Sequence, residues 1–182
     1  MKQFSILAVT LLIAGAGFSQ GKYFSRDGHI KFFSSTPIED IEADNHKVTV
    51  VLDEATGKVE FSALIKSFEF EKALMEEHFN ENYMESQTYP KATFKGSIKD
   101  FKTGAYGSET KVMAVGTMSI HGVSKEVEIP GTMSKTGEEY HLSSKFMVNP
   151  DDYKIEIPNT VREKIAKELE VTVDAKLGPL TK

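Results

Sequence analysis

No cysteine occurs among the 182 residues of this chain. No disulfide can staple the fold and no thiolate can act as nucleophile or metal ligand, so a stable structure has to rest on its core alone. Positive charge is not in excess either. The 22 Lys and Arg stand against 27 Asp and Glu, a formal net charge of −5. A phosphate backbone demands a basic face and an anionic membrane surface demands a polybasic run, so this balance argues against nucleic acid as the main partner and against a stable electrostatic membrane anchor.

Catalytic signatures are missing as well. The sequence contains no glycine-rich phosphate loop, no Gly-x-Ser-x-Gly elbow, and no pair of histidines four residues apart with a glutamate beside the first. Ser119 and His121 stand next to a turn with no placed carboxylate, and Asp151 and Asp152, beside Pro150, read as a solvated loop or helix start. His78, between Glu77 and Glu81, is the single histidine of its helix and reads as a hydrogen-bonded residue on the helix face. Neither catalytic residues nor a metal site nor a cofactor is expected. His29, His46, His121 and His141 are the other histidines, and nothing in their spacing nominates them as ligands.

Long apolar runs are absent apart from one. Lys2 precedes the run Phe4 to Ala16, and small residues Gly15, Gly17 and Ser19 stand at and just past its end, before Gln20. The run is too short to span a bilayer with ease and has the layout of a secretory signal peptide, with a cut expected between Ser19 and Gln20. The mature chain, residues 20–182, then has 182 − 19 = 163 residues and a formal charge of −6. That length suits one domain, exported to the periplasm or beyond the cell.

What the mature chain has in abundance is alternation. Val59, Phe61, Ala63 and Ile65 share one face of an extended segment, and the same period of two returns from Ala92 to Ile98, Val112 to Ile120, Val123 to Ile129, Leu142 to Val148 and Leu169 to Leu177. Turn signals separate these runs at Asp53 to Gly57, Thr103 to Gly107, His121-Gly122 and Thr136-Gly137, so neighbouring strands pair as antiparallel hairpins. His29 to Ser34, Ile38 to Ala43 and Val48 to Leu52 read as three further strands. The count, about eight or nine, fits a sandwich or a closed barrel.

One helix interrupts the pattern. Over residues 71–84, Leu74, Met75, His78, Phe79 and Tyr83 form an apolar stripe with Glu76, Glu77, Asn80 and Glu81 around it. A shorter helical segment is expected over 161–168. Several inward positions in the strands are small, namely Ala63, Gly96, Ala114, Gly116, Ser144 and Ala175. Small residues halfway along several strands leave a lumen unless facing Phe and Met side chains fill it, and the alternation leaves both readings open.

Two stretches carry a resemblance. "HFNENYMESQTYPKATFKGSI", His78 to Ile98, and "VGTMSIHGVSKEVEIPG", Val115 to Gly131, resemble the YceI family of exported bacterial proteins. The match lies at Tyr89, Pro90 and Phe94, and at Gly116, His121, Gly122 and Val123, with Met118 where the family has leucine. The family's opening Asp-x-x-His-Ser-x-x-x-Phe persists as Asp27, His29 and Phe32 or Phe33. Its later Arg-x-x-Phe-Gly is replaced by Asn149 to Lys154, without arginine or glycine.

The resemblance implies an all-β fold: a single lipocalin-like antiparallel barrel of about eight strands, enclosing an isoprenoid or other long-chain lipid without catalysis. A lipid tail needs only a dry tunnel. Its expected lining is Phe61, Ile65, Leu74, Phe79, Phe94, Ile98, Val112, Met118, Phe146 and Val148, with Ala63, Gly96, Ala114 and Gly116 giving it width. A homodimer is left open. The competing expectation is an exported interaction protein with a filled core and no lipid.

Overall fold

The computed structural model describes residues 21–180. The expected signal peptide and its cut lie outside them. Nine strands make one sheet: β1 (Lys22–Ser35), β2 (Asp40–Asp53), β3 (Lys58–Leu64), the two-residue β4 (Glu69–Phe70), β5 (Lys91–Ile98), β6 (Thr110–Ile120), β7 (Val123–Thr136), β8 (Glu139–Val148) and β9 (Leu169–Pro179). Every pairing is antiparallel, in the order β1-β9-β8-β7-β6-β5-β3-β2, and β1 pairs with β2 to close the ring. The result is an eight-stranded closed barrel, with β4 added beside β2. Closure pairs the long strands on both sides over most of their length, which removes most of the free edge.

The core follows the period of two. Val48, Val50, Leu52, Val59, Ala63, Met133, Leu142, Val173, Ala175 and Leu177 all point inward and are buried. The two expected strands Ile38 to Ala43 and Val48 to Leu52 are one strand, β2. The alternation breaks in the polar run between them because the ladder to β1 is irregular there: Gly28 pairs with Val48 but Ile30 pairs with Asn45. The extra β2 residue is a bulge, and it leaves His46 and Lys47 both exposed. Asn45 holds it. Fully buried, it accepts from the Lys47 N–H at 2.9 Å through Oδ1 and donates to the Leu64 carbonyl at 2.9 Å.

The helix expected over 71–84 is α-helical only from Ala73 to His78 (α1), and a wide π turn continues it from Phe79 to Tyr83. The expected helix over 161–168 is a single 3₁₀ turn, Arg162–Lys164. It stops because Ile165 is already extended and the Ala166 N–H bonds to Ser34 Oγ at 2.8 Å, leading the chain into β9. No helix among the described residues is long and apolar enough to cross a membrane.

The barrel's two ends differ. At one, the turns joining β2 to β3 and β7 to β8 come together and the end is sealed by a partly buried polar knot. Lys135 Nζ donates to Glu54 Oε1 at 2.6 Å and to Tyr23 Oη at 2.9 Å, while Tyr140 Oη donates to Glu54 Oε1 at 2.6 Å. The same ammonium lies 4.9 Å and 4.8 Å from the Tyr23 and Tyr140 ring centroids. Burial pushes the Glu54 carboxyl up, but the hydrogen bonds from Lys135 and Tyr140 and the lysine charge outweigh it and hold the group below its ordinary value.

Candidate functional site

The opposite end carries α1 and the ends of β3 and β8. Inside the barrel below it lies a chamber of about 210 Å³, and above that a second chamber of about 400 Å³. They share the walls Phe32, Phe79, Met84, Pro150, Ile155 and Leu169. The two spaces thus adjoin, with a waist of shared side chains between them.

Four phenylalanines make that waist. Phe79, from the π turn, lies 5.5 Å from Phe32, 5.6 Å from Phe68 and 5.0 Å from Phe70, centroid to centroid, and Phe32 also meets Phe68 and Phe70. Phe79 is the first residue of the π turn, at the end of α1, and its ring packs on the phenylalanines of β1, β4 and the segment between β3 and β4.

Among the described residues, no charged one stands in the wall of the inner chamber. Its polar side chains are the hydroxyls of Thr93, Thr132, Ser143 and Ser144, and Ser144 Oγ is already donated to the Pro130 carbonyl at 2.6 Å. The outer chamber differs. Glu39, Lys72, His78 and Lys164 stand in its wall beside Leu74, Ile41 and Ile157. Lys72 Nζ is 3.2 Å from Glu39 Oε1 and Lys164 Nζ is 3.9 Å from Glu39 Oε2, so one carboxylate is flanked by two ammonium groups. A molecule spanning both chambers would meet a dry inner end and a polar outer end.

Part of the wall is not strand. The β7–β8 ladder starts at Gly131 paired with Ser144, and Val123 to Pro130 pairs with β6 only. Pro130 has no N–H to carry a ladder onward. The 3₁₀ turn Pro150–Tyr153 sits by this gap, tied to β7 by Lys125 Nζ at 2.6 Å from Asp152 Oδ1 and by the lysine's approach to the Tyr153 ring. Tyr153 is buried there, and burial first, then the Asp152 charge, push its phenol above the ordinary range.

The hairpin motif singled out in the sequence has a definite place. His121 and Gly122 have φ of 50° and 74°, the two positive values of a type I′ turn. A Cβ on Gly122 would lie 2.6 Å from Tyr89 Cε1, and the Tyr89 ring meets His121 edge-on at 4.5 Å. Tyr89 and the His121-Gly122 turn therefore pack as one unit at the open end, in which glycine is required twice over, by φ and by space.

Of the residues expected to line a cavity, Phe61, Ala63, Ile65, Phe79, Phe94 and Ile98 stand in the inner chamber wall, as do Val112, Ala114, Met118, Phe146 and Val148. Leu74 does not. It is 60% exposed and faces the outer chamber, because α1 lies across the mouth instead of inside it. Gly96 and Gly116 are not in either wall. They are register partners whose missing side chains let the β5 and β6 backbones approach closely, and the Phe94 ring occupies the space over Gly96. His78 is exposed in the outer wall. Phe32, Phe68, Met84, Pro150 and Ile155 went unread. Phe68 and Phe70 flank the helix in sequence, and that local density of phenylalanine was the available signal; Pro150 and Ile155 lie in a loop without periodicity.

Comparison with known proteins agrees with the geometry. The family described as YceI-like domain matches residues 25–177. Similar solved structures include a polyisoprenoid binding domain from Saccharophagus degradans implicated in plant cell wall breakdown, with TM-score 0.75 and 14% identity over 88% of this chain and 99% of that one. Burkholderia cenocepacia BcnA superposes with TM-score 0.68 and 16% identity, over 83% and 96% of the two chains. A Campylobacter jejuni YceI protein gives TM-score 0.58 and 15% identity over 100% of both. No curated protein matches.

Proposed function

This chain belongs to the YceI-like domain family, and from that premise we propose that it binds and carries an isoprenoid or other long-chain lipid in its barrel, without catalysis and outside the cytoplasm. The observation that carries the reading is the uncharged inner chamber joined through a phenylalanine waist to a polar outer one. A polyisoprenoid tail has no polar atom to satisfy, so a wall of phenylalanine, valine and isoleucine binds it by burial alone, at about 0.8 kcal/mol per methylene. The head group would rest in the outer chamber, whose lysines, histidine and glutamate offer hydrogen bonds the inner one lacks. Such a site needs no catalytic constellation. That a similar barrel is described as a polyisoprenoid binding domain supports the same ligand class.

Delivery is supported by the rim. Ile38, Leu64, Leu74 and Met147 are large apolar side chains left exposed, and all four lie toward the open end, Ile38 in the turn between β1 and β2 and the others in β3, α1 and β8. A lipid passing between a bilayer and the barrel would cross apolar surface there instead of water.

The test is native mass spectrometry of the mature protein purified gently from a bacterial host, followed by solvent extraction. The expected result is one isoprenoid per chain. A clean apo mass with no later uptake of added quinone or polyprenyl lipid would overturn the reading and favour an interaction protein.

A further inference from the structure

A second cluster lies on the outside of the barrel, away from the chambers. The β2 bulge turns His46 outward next to Asp44, and His29 of β1 stands against both. His29 Nε2 is 2.6 Å from Asp44 Oδ1, the His29 and His46 rings stack at 4.3 Å with planes 6° apart, and one ligating atom from each of the three lies within 4.8 Å of the others. The geometry points to a surface site for a divalent transition ion of the zinc to copper range, held by His29, Asp44 and His46.

The chemistry of the donors fits that class. Two imidazoles and one carboxylate are borderline ligands, suited to Zn²⁺ or Cu²⁺ and poorly suited to Mg²⁺ or Ca²⁺, which want oxygen alone. The ion takes the place of the hydrogen bond between His29 and Asp44. Two ligands of a tetrahedral ion at about 2.1 Å stand roughly 3.4 Å apart, so the pair opens by less than about 1 Å. Both side chains are about a third exposed and have that freedom. Imidazole lone pairs lie in the ring plane, so the stacked rings do not yet converge; His46, exposed, turns about its side-chain torsions to meet the ion.

The scaffold is rigid where it matters. Asn45, buried between the two ligands of β2, fixes the bulge through its bonds to Leu64 and Lys47. Lys31, the nearest cation in the β1 register, is occupied by Glu42 at 2.7 Å. On the other side of His29, its β9 partner Asp174 accepts from His141 at 2.6 Å and adds negative charge to the same face. Three protein ligands leave a coordination position open to water.

The test uses tag-free mature protein stripped of metal, titrated with Zn²⁺ and separately with Cu²⁺ by calorimetry. One ion per chain is expected. His29→Ala and His46→Ala should each weaken binding by at least about tenfold, and His141→Ala by less than about twofold. Melting curves show that each variant is folded. In the unaltered protein, Cu²⁺ should broaden the ring resonances of His29 and His46 before those of His78, His121 and His141, which needs no variant at all. Binding that survives the double replacement of His29 and His46, or broadening that begins at another histidine, would overturn the assignment.

Discussion

Gly96 of β5 and Gly116 of β6 are register partners, and a side chain on either would run into the other strand's backbone. A Cβ on Gly96 would stand 2.9 Å from the Gly116 Cα, and one on Gly116 would stand 2.9 Å from the Lys95 carbonyl carbon, with the Lys95 oxygen nearer still. Ala114, two residues before Gly116, faces the inner chamber. Neighbouring small residues on one strand thus do opposite jobs. Ala114→Phe should reduce lipid uptake by at least about tenfold, measured with a fluorescent polyene, while unfolding free energy in urea falls by less than about 1 kcal/mol. Gly116→Leu should instead cost about 3 kcal/mol or more, because the strands must part. Equal destabilisation by both would mean that the chamber is packed shut.

The phenylalanine waist should set the rate of exchange. Phe79→Leu keeps most of the packing and removes the stacked ring, so stability should fall by about 1 kcal/mol while the rate of lipid release, followed by stopped-flow transfer to vesicles, rises several-fold. An unchanged release rate would place the barrier elsewhere, with the gap between β7 and β8 as the next candidate.

The sealed end governs pH stability. Glu54 has a folded value below its ordinary 4.5, so its contribution is complete above about pH 4.5 and is lost as pH falls through the lower folded value. Lys135 and Tyr140 are both raised, so theirs is complete below 10.0 and fades as pH rises through their folded values. Glu54→Gln leaves a partly buried ammonium without its counter-charge and should cost about 1 to 2 kcal/mol at neutral pH. The variant's urea midpoint should then depend much less on pH in the acid range than the parent's, with lipid uptake unaltered. A parent midpoint flat from pH 6 to pH 3 would contradict the role given to Glu54.

Asn45 should matter beyond its size. Asn45→Ala leaves the Leu64 carbonyl and the Lys47 N–H without their partner and should cost about 2 kcal/mol in urea unfolding. Amide exchange should quicken first at Lys47 and along the end of β3. A cost below about 0.5 kcal/mol would mean that the bulge is held by the ladder alone.

The sequence by itself determined the antiparallel strands and which of their residues face inward, while the choice of a barrel over a sandwich rested on the family resemblance. Side chains of a strand alternate strictly between its faces, so Val59, Phe61 and Ala63, or Val112, Ala114 and Met118, declare themselves as inward residues without reference to anything outside their own strand. The His121-Gly122 turn is equally local, since glycine at its second place takes positive φ at no steric cost. Tertiary structure alone decided the rest, because each remaining feature depends on what lies opposite. Whether a small inward residue widens a lumen, as Ala114 does, or admits a neighbouring backbone, as Gly116 does, is fixed by the partner strand. The same holds for Phe79, whose place in the waist is set by the phenylalanines of three other segments, and for His29 and His46, brought together by a bulge in a ladder between two strands. Local periodicity carries which face a residue takes; only closure of the barrel determines what it meets there.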